Sequence, residues 1–271
     1  FNLFFPEKRD FFLNDADLFE FGRIGAGSSQ ASSASSQNNG RPFFSRRLGL
    51  SPTGTPVDLK YGSKVSGRIG RWNVGALAIN QDKFGSVKAS NVFVGRASAN
   101  VLEESSLGMI VTHGDPNSNL ENSLVGVDFR YLNTRISGDR VLEADVWFQQ
   151  SDTEGLDGKG SAFGLGIGMP NNSGWRGNFT LKELQANFNP ALGFVSRSNV
   201  RDTTLDVGYT HFTGGNLLQS VFSGIDAQRI NFLNGGLQSQ VILGRLVEIR
   251  SNAGERIHAH YSETKEIVTQ P

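Results

Sequence analysis

A two-residue alternation of apolar and polar side chains recurs along this chain from Asp58 to Ser262. Because successive side chains of a strand point to opposite faces, each segment with this pattern predicts a β-strand that has one apolar side. In 163–169, for example, four large apolar residues alternate with three glycines. The pattern predicts an all-β fold whose strands are 57–69, 72–81, 91–101, 105–113, 123–134, 140–150, 161–169, 174–184, 202–212, 219–230, 237–249 and 255–262.

The length of these segments favours a membrane barrel over a soluble sheet. Most exceed the roughly 5–6 residues of a mean globular strand and match the roughly 9–11 residues of a tilted strand that crosses a bilayer. The connection 70–71 is a tight turn, whereas 115–119, 151–160 and 185–201 are long. Short turns on one side and long loops on the other are typical of outer-membrane barrels. We therefore predict an antiparallel meander that forms a transmembrane β-barrel, with about 12 strands visible and the barrel incomplete.

Charge and cysteine content narrow the classes of function. Lys and Arg together number 26, as do Asp and Glu, so the net charge is +0. This balance argues against nucleic-acid binding, which usually needs a basic excess. With no cysteine in the chain, a disulfide framework, thiolate catalysis and a cysteine-ligated zinc site are excluded. The chain starts at Phe1 without a signal peptide, so we expect a mature or excised piece.

Two regions are predicted. Residues 1–56 form an irregular N-terminal rim or plug segment, and residues 57–271 contain the barrel strands. Within the first region, 27–40 is a low-complexity run of Ser, Asn, Gln and Gly. Such a run buries too little apolar surface to offset its ordering entropy, so we predict a mobile loop.

If the apolar sides of the strands face lipid, the polar sides line the lumen. They then form either a polar path for a solute or an electrostatic lattice that fills a closed barrel, and both interpretations stay open. The candidate lumen residues are Lys64, Arg68, Asp128, Arg130, Glu143, Asp145, Arg176, Lys182 and Asp206.

Two pairs of residues raise the question of chemistry. Glu143 and Asp145 share one strand face, as a carboxylate pair for glycoside hydrolysis would, but charged strand faces are commonly just solvated. His258 and His260 also share a face and are a weak start for a metal site, because no third ligand is evident. No cofactor is predicted, and an enzyme is the less favoured class.

Four ordered motifs resemble a family of outer-membrane domains, the domain of unknown function 5916. Residues 5–13 resemble its motif F-P-E-K-R-x-F-F-L, and 43–49 resemble its second motif, an aromatic-x-S-R-R-[IL]-G string. Residues 62–68 are similar to its first clear strand, and 187–197 resemble N-P-x-L-G-F-V-x-R.

The resemblance implies an outer-membrane barrel of a Gram-negative bacterium, next to a family-9-like carbohydrate-binding module that lies outside this chain. It implies no catalytic residues. Membrane lipid is the expected partner, with a glycan bound through the outside module, and further strands are expected beyond Pro271. We also hypothesise that the N-terminal motifs lie inside the barrel, where Arg9, Arg46 and Arg47 pair with lumen carboxylates. The charged motif residues are Glu7, Lys8, Arg9, Arg46 and Arg47.

Three functions remain open at this point. The first is an outer-membrane barrel domain with an anchoring or passage role tied to glycan binding. The second is a carbohydrate-active enzyme or sugar-binding protein with a lumen site near Glu143, Asp145 and Arg176. The third is a soluble β-sandwich interaction module, which would place an apolar core between two sheets.

Overall fold

A computed structural model describes residues 7–27, 29–136 and 140–267 of the chain. It contains one antiparallel sheet of 12 strands in chain order, each paired with its sequence neighbours. The predicted all-β meander is therefore confirmed. The strands are β1 Leu59–Ile69, β2 Trp72–Gln81, β3 Ser90–Val101, β4 Ser105–His113, β5 Asn122–Ile136, β6 Arg140–Thr153, β7 Ser161–Met169, β8 Gly174–Leu184, β9 Val200–Phe212, β10 Leu218–Phe232, β11 Leu237–Ser251 and β12 Arg256–Glu266.

The sheet is open within the described residues, since β1 and β12 each have one paired neighbour. A sandwich of two facing sheets does not form in this part of the chain, because all the strands belong to one hydrogen-bonded sheet. No helix among the described residues has the length and apolar character needed to cross a bilayer.

The two ends of the sheet differ in their connections. One end, the short-turn end, carries 70–71, 102–104, 170–173, 213–217 and 252–255. The other, the long-loop end, carries 82–89, 114–121, 154–160, 185–199 and the shorter 233–236.

The helical elements that the structure describes before β1 are short: α1 Asp10–Leu13, α2 Ala34–Gln37 and the 3-10 turns Ala16–Phe19 and Ser45–Arg47. This N-terminal segment lies across one face of the sheet, and we call that face the inner face. Near the long-loop end its side chains join strand residues in an apolar core that contains Phe19, Phe21, Leu48, Leu77 and Val94. Phe188 and Leu192 of the connection 185–199 complete this core.

The two-residue alternation is interrupted in β2 and β11, for different reasons. In β11 a single bulge adds one residue: Leu246 and Val247 lie between Arg245 and Glu248, where β10 has Ser223 alone, and the pairing with β12 shifts at the same place. The added residue reverses the faces of β11 that follow it, whereas β10 keeps its alternation and pairs with β9 without a shift. In β2 the cause is different, because Leu77 and Ile79 are buried on the inner face, in the core formed with the N-terminal segment.

Candidate functional site: the two faces of the sheet

The outer face of the sheet is apolar and exposed. In β7, Phe163, Leu165, Ile167 and Met169 all point outward, and Ile167 is 49% exposed. The glycines between them are buried. In β5, Val125 and Val127 are exposed while Gly126 and Asp128 are buried. The alternation of these strands is therefore inverted relative to a soluble protein, with apolar side chains outside and polar or small residues inside.

This apolar surface is continuous from strand to strand because the register aligns it. Val127 pairs with Phe148, and Phe148 pairs with Phe163. Further along the sheet, Leu165 pairs with Leu181. Directly opposite residues of an antiparallel pair share a face. The result is an outward apolar band that crosses the sheet from β5 to β8.

The height of the band in β7 is comparable with that of the apolar band on the outside of outer-membrane barrels. In β7 it runs from Phe163 to Met169, which is roughly 20 Å at the usual strand rise. Outer-membrane barrels carry an apolar band about 25 Å tall. At the long-loop end it is bounded by polar groups on the outer face, such as Glu183, which pairs with Arg201 at 2.7 Å.

Aromatic rings mark the short-turn border of the band. Trp175 and Tyr209 lie opposite each other on β8 and β9, with ring centroids 5.2 Å apart in an edge-to-face arrangement. Trp72 is exposed at the start of β2, at the same end of the sheet. Amphipathic rings favour the boundary between lipid and water.

The inner face carries the charges, and most of them are buried and paired. Asp128 accepts hydrogen bonds from both terminal nitrogens of Arg96, at 2.6 and 3.0 Å, and a third from the backbone N–H of Gly22 at 3.2 Å. The Arg96 guanidinium lies 5.4 Å from the centre of the Phe21 ring. Two strands and the N-terminal segment thus meet at one bidentate ion pair.

A second contact ties the N-terminal segment to β6. Arg23 donates to Glu143 and lies 3.5 Å from Asp145, so one guanidinium serves both carboxylates. Arg130 lies 3.7 Å from Glu143 on its other side. Hydrolysis by a carboxylate pair needs one proton donor and one free base or nucleophile. The shared guanidinium favours a structural role for this pair.

The Ser- and Asn-rich run differs from the mobile loop that we predicted for 27–40. Residues 34–37 form α2, and Ser36 and Asn39 are buried. Lys182 reaches from β8 and donates to the carbonyl oxygen of Ser36 at 2.7 Å, while the Ser36 hydroxyl donates to Asp202 at 3.0 Å. The prediction counted apolar burial alone, and this run is held by hydrogen bonds to buried charged side chains instead.

A third buried cluster lies on β8 to β11, towards the short-turn end. Arg245 pairs with Asp226 and lies 3.6 Å from Asp206. Arg176 lies 3.9 Å from Asp206 on its other side. Both guanidiniums also pack against the Phe222 ring, with their central carbons 4.6 and 4.5 Å from its centre. Asp226 also accepts the backbone N–H of Gln30 at 3.0 Å, so this cluster holds the N-terminal segment as well.

The charged residues of the N-terminal motifs pair mainly with one another. Arg9 binds the Glu7 carboxylate at 2.7 Å and donates to the carbonyl oxygens of Leu48 and Ser45. Burial alone would raise the pKa of Glu7, but hydrogen bonds from the Arg9 side chain and backbone, Ser45 and Lys8 outweigh it and lower that pKa to about 2.

The hypothesis that these arginines pair with lumen carboxylates is wrong for Arg9, whose carboxylate partner Glu7 lies in its own segment. Burial lowers the pKa of Arg47, and the charge of Asp115, in the connection 114–121, opposes that change. Arg46 is half-buried beside Arg47. Lys8 is exposed, and its backbone N–H donates to the Glu7 carboxylate at 2.9 Å.

The four motifs that carry the family resemblance meet in space, although Phe5 and Pro6 of the first lie outside the described residues. Arg9 joins the first motif to the second. Phe44 of the second motif lies 5.7 Å from Phe194 of the fourth, in an edge-to-face contact. Lys64, in the strand motif, donates to the carbonyl oxygen of Asn14, directly after the first motif.

Three other candidates from the sequence analysis lie outside the buried charge clusters. Arg68 is exposed on β1 and donates to the carbonyl oxygen of Gly70 at 3.0 Å. His258 and His260 stack with ring centroids 5.5 Å apart on β12. Among the described residues, no group of three or more His, Asp or Glu side chains could hold a metal ion.

Sequence reasoning missed four residues that complete the inner-face network: Arg23, Asp202, Asp226 and Arg245. Asp202 and Asp226 lie on segments that were predicted as strands, and their parity alone could have assigned them to the inner face. Arg245 was hidden by the register shift that follows it.

Comparisons with known proteins give no family assignment. No protein-family model matches the chain, and no curated protein has a significantly similar sequence. The resemblance to domain of unknown function 5916 therefore stays a prediction based on four motifs.

Proposed function

We propose that this chain is a β-barrel domain of the outer membrane, in which the N-terminal segment plugs the inner face and the domain serves as an anchor. The observation that carries the proposal is the inverted burial of the strands. Val146 and Phe148 are about half exposed, whereas Trp147 between them is 3% exposed. A bilayer is the solvent in which such a surface is stable.

The extent of the apolar band supports lipid over water as its surroundings. Soluble monomers rarely expose contiguous apolar patches larger than a few hundred Å². From β5 to β8 the rows that contain Leu165 and Ile167 hold no charged side chain on the outer face, and the pair Glu183–Arg201 lies at the border of the band. Aromatic rings at the other border fit the same interpretation.

The arrangement of strands supports closure into a barrel. Every strand pairs antiparallel with its sequence neighbour, and the strand number is even. An even number of antiparallel strands is typical of bacterial single-chain barrels, and closure, directly between β1 and β12 or through the further strands expected from the resemblance, would continue the same meander. Closure would satisfy the free backbone groups of both edge strands, which have no water to bind within a bilayer.

An anchoring role is favoured over passage because the N-terminal segment occupies much of the inner face. Its residues contact strands from β1, through Lys64, to β10, through Asp226. Between the segment and β6 to β9, the space near Trp147 and Lys182 is about 50 Å³, room for a few waters, and a cavity of about 230 Å³ lies beside Arg23, Arg176 and Asp206. The link to glycan binding rests on the family resemblance alone.

Tryptophan fluorescence in bilayers tests the proposal directly. Trp175 lies on the outer face and Trp147 on the inner face. We would reconstitute W72F/W147F and W72F/W175F, each with one tryptophan, into vesicles with and without brominated acyl chains. Bromine quenches only rings in contact with lipid, so Trp175 should lose most of its emission and Trp147 little.

A control variant that keeps Trp147 guards against misfolding caused by replacing this buried ring. The single variant W72F keeps both remaining tryptophans, and its comparison with W72F/W175F isolates the Trp175 signal without altering Trp147. Equal quenching of the two rings, or a protein that remains in the aqueous fraction without detergent, would contradict the membrane proposal. Conductance across a planar bilayer would move the function from anchoring to passage.

A further inference from the structure

The inner face of the last hairpin concentrates basic side chains. In the register of β11 and β12, Arg250 lies opposite Arg256, Glu248 opposite His258, and Arg245 opposite His260. Opposite residues share a face, with Cβ atoms about 4.5–5.5 Å apart. Three arginines and two histidines therefore line this face around a single carboxylate.

A cavity of about 360 Å³ lies over this face, between the hairpin and Gln30 of the N-terminal segment. Arg245, Glu248, Arg256, His258 and His260 all line it. Its volume falls in the range of about 300–1,000 Å³ that is usual for small-molecule sites. The backbone N–H of Gln30 donates to Asp226 at 3.0 Å, so the main chain of the N-terminal segment at this wall is tied to the buried cluster.

Some of the charged side chains on this face have an ion-pair partner and others do not. Arg245 is neutralised by Asp226. Within the described residues, Arg250 and Arg256 form no ion pair, and Glu248 is the one acidic side chain of the cavity lining. Like charges placed directly opposite each other destabilise a strand pair. An anion bound between these groups would remove that repulsion.

We propose that this cavity binds a small anion that carries a phosphate or carboxylate group, with an acidic sugar as the class that uses the whole site. The planar guanidinium of Arg256 suits two-point binding of such a group. The imidazoles of His258 and His260 supply further ring N–H donors. Glu248 and Gln30 offer partners for sugar hydroxyls. The site does not depend on whether the outer face contacts lipid.

Titration calorimetry on the detergent-solubilised protein tests the proposal, with inorganic phosphate and glucuronate as probes and glucose as the uncharged control. R256Q/H258Q should weaken binding by about tenfold or more, the usual effect of losing charge-assisted hydrogen bonds. R229Q, on the outer face of β10, removes the same charge elsewhere and should leave binding within about twofold, because distant sites act independently.

A second variant keeps the test decisive if R256Q/H258Q fails to fold. E248Q removes the opposing carboxylate and should tighten binding of both anions. Binding of either phosphate or glucuronate with this pattern supports the site, and their relative affinities separate a simple anion from an acidic sugar. Unchanged affinity in R256Q/H258Q and E248Q, or no preference of the protein for the anions over glucose, would overturn it. Since the tryptophan experiment measures lipid contact, either proposal can fail without the other.

Discussion

The two faces of β6 and β7 follow opposite rules within the same residues. On the outer face, Leu165 and Ile167 stand side by side with Val146 and Ala144 and remain exposed. On the inner face, the glycines of β7 leave room for the large side chains of β6: an added Cβ at Gly164 would lie 2.6 Å from the Trp147 ring. The outer face of β6 and β7 is open to the surroundings, whereas the inner face packs closely against protein.

The difference teaches that burial in this sheet follows strand parity and not hydrophobicity. Asp226 is 0% exposed, whereas Ile167 is 49% exposed. Removing one partner of a buried ion pair should therefore be severe on the inner face, and placing a charge in the apolar band should be severe on the outer face. Four experiments would break or sharpen this contrast.

The largest effect is expected for Asp128→Ala on the inner face. It leaves the buried Arg96 without its bidentate partner, and loss of one member of a buried pair typically costs about 3–5 kcal/mol. Val127→Ala, the adjacent outer-face change, should cost about 1 kcal/mol or less, since its side chain is half exposed. Urea unfolding in micelles measures both, and equal costs would contradict the division into faces.

The next effect concerns the outer face in a bilayer. Leu165→Arg places a charge in the middle of the apolar band and should destabilise the membrane-inserted protein by about 2–4 kcal/mol. Asp152→Arg, on the same face of β6 but beyond the band, should cost less than about 1 kcal/mol. Folding into vesicles from urea gives the comparison. If Leu165→Arg inserts as readily as Asp152→Arg, lipid does not cover this face.

A smaller effect is expected from filling the glycine face. Gly164→Val would force Trp147 from its position, and overpacking of this kind costs about 1–3 kcal/mol. Gly67→Val on β1 is the matched control, because an added Cβ there meets no atom within 4 Å. The midpoint of thermal unfolding should fall for the first variant and stay unchanged for the second. A fall in both would point to backbone effects of glycine in general.

The smallest effect belongs to the N-terminal motif. The pKa of Glu7 is lowered to about 2 from its ordinary 4.5, so its contribution to stability is present above pH 4.5 and is lost as the pH falls towards 2. Allowing for solvent screening, we expect that contribution to be about 1 kcal/mol. Glu7→Gln should remove this part of the acid dependence of unfolding. A pH profile identical to that of the unaltered protein would show that the Glu7–Arg9 pair is not formed.

The sheet could be predicted from the sequence because its pattern is local. Strands β2, β4, β7 and β8 have the predicted bounds, and the others differ by a few residues at their ends. Each strand is recognisable from its two-residue alternation, and strands that are adjacent in sequence pair with each other in the sheet. The assignment of polar residues such as Asp128 and Lys182 to one face follows from the same local rule.

The contacts of the N-terminal segment could not be predicted because they join residues far apart in the chain. Nothing around Arg23 indicates that Glu143 and Asp145 will face it, and the Ser- and Asn-rich run gives no local sign of the hydrogen bonds that hold it. The register shift after Arg245 had the same effect on β11. A single added residue moved a key arginine out of the expected alternation.

The separation between partners also sets an order of assembly. Each hairpin of the sheet can close as soon as its two strands exist, whereas Gln30 and Asp226 are 196 residues apart, and Ser36 and Asp202 are 166 residues apart. Non-local contacts of this kind form late, because closing a long loop costs entropy before the contact itself can stabilise the chain. We therefore expect Gln30 and Ser36 to reach their places last, after the sheet has formed the polar surface to which they bind.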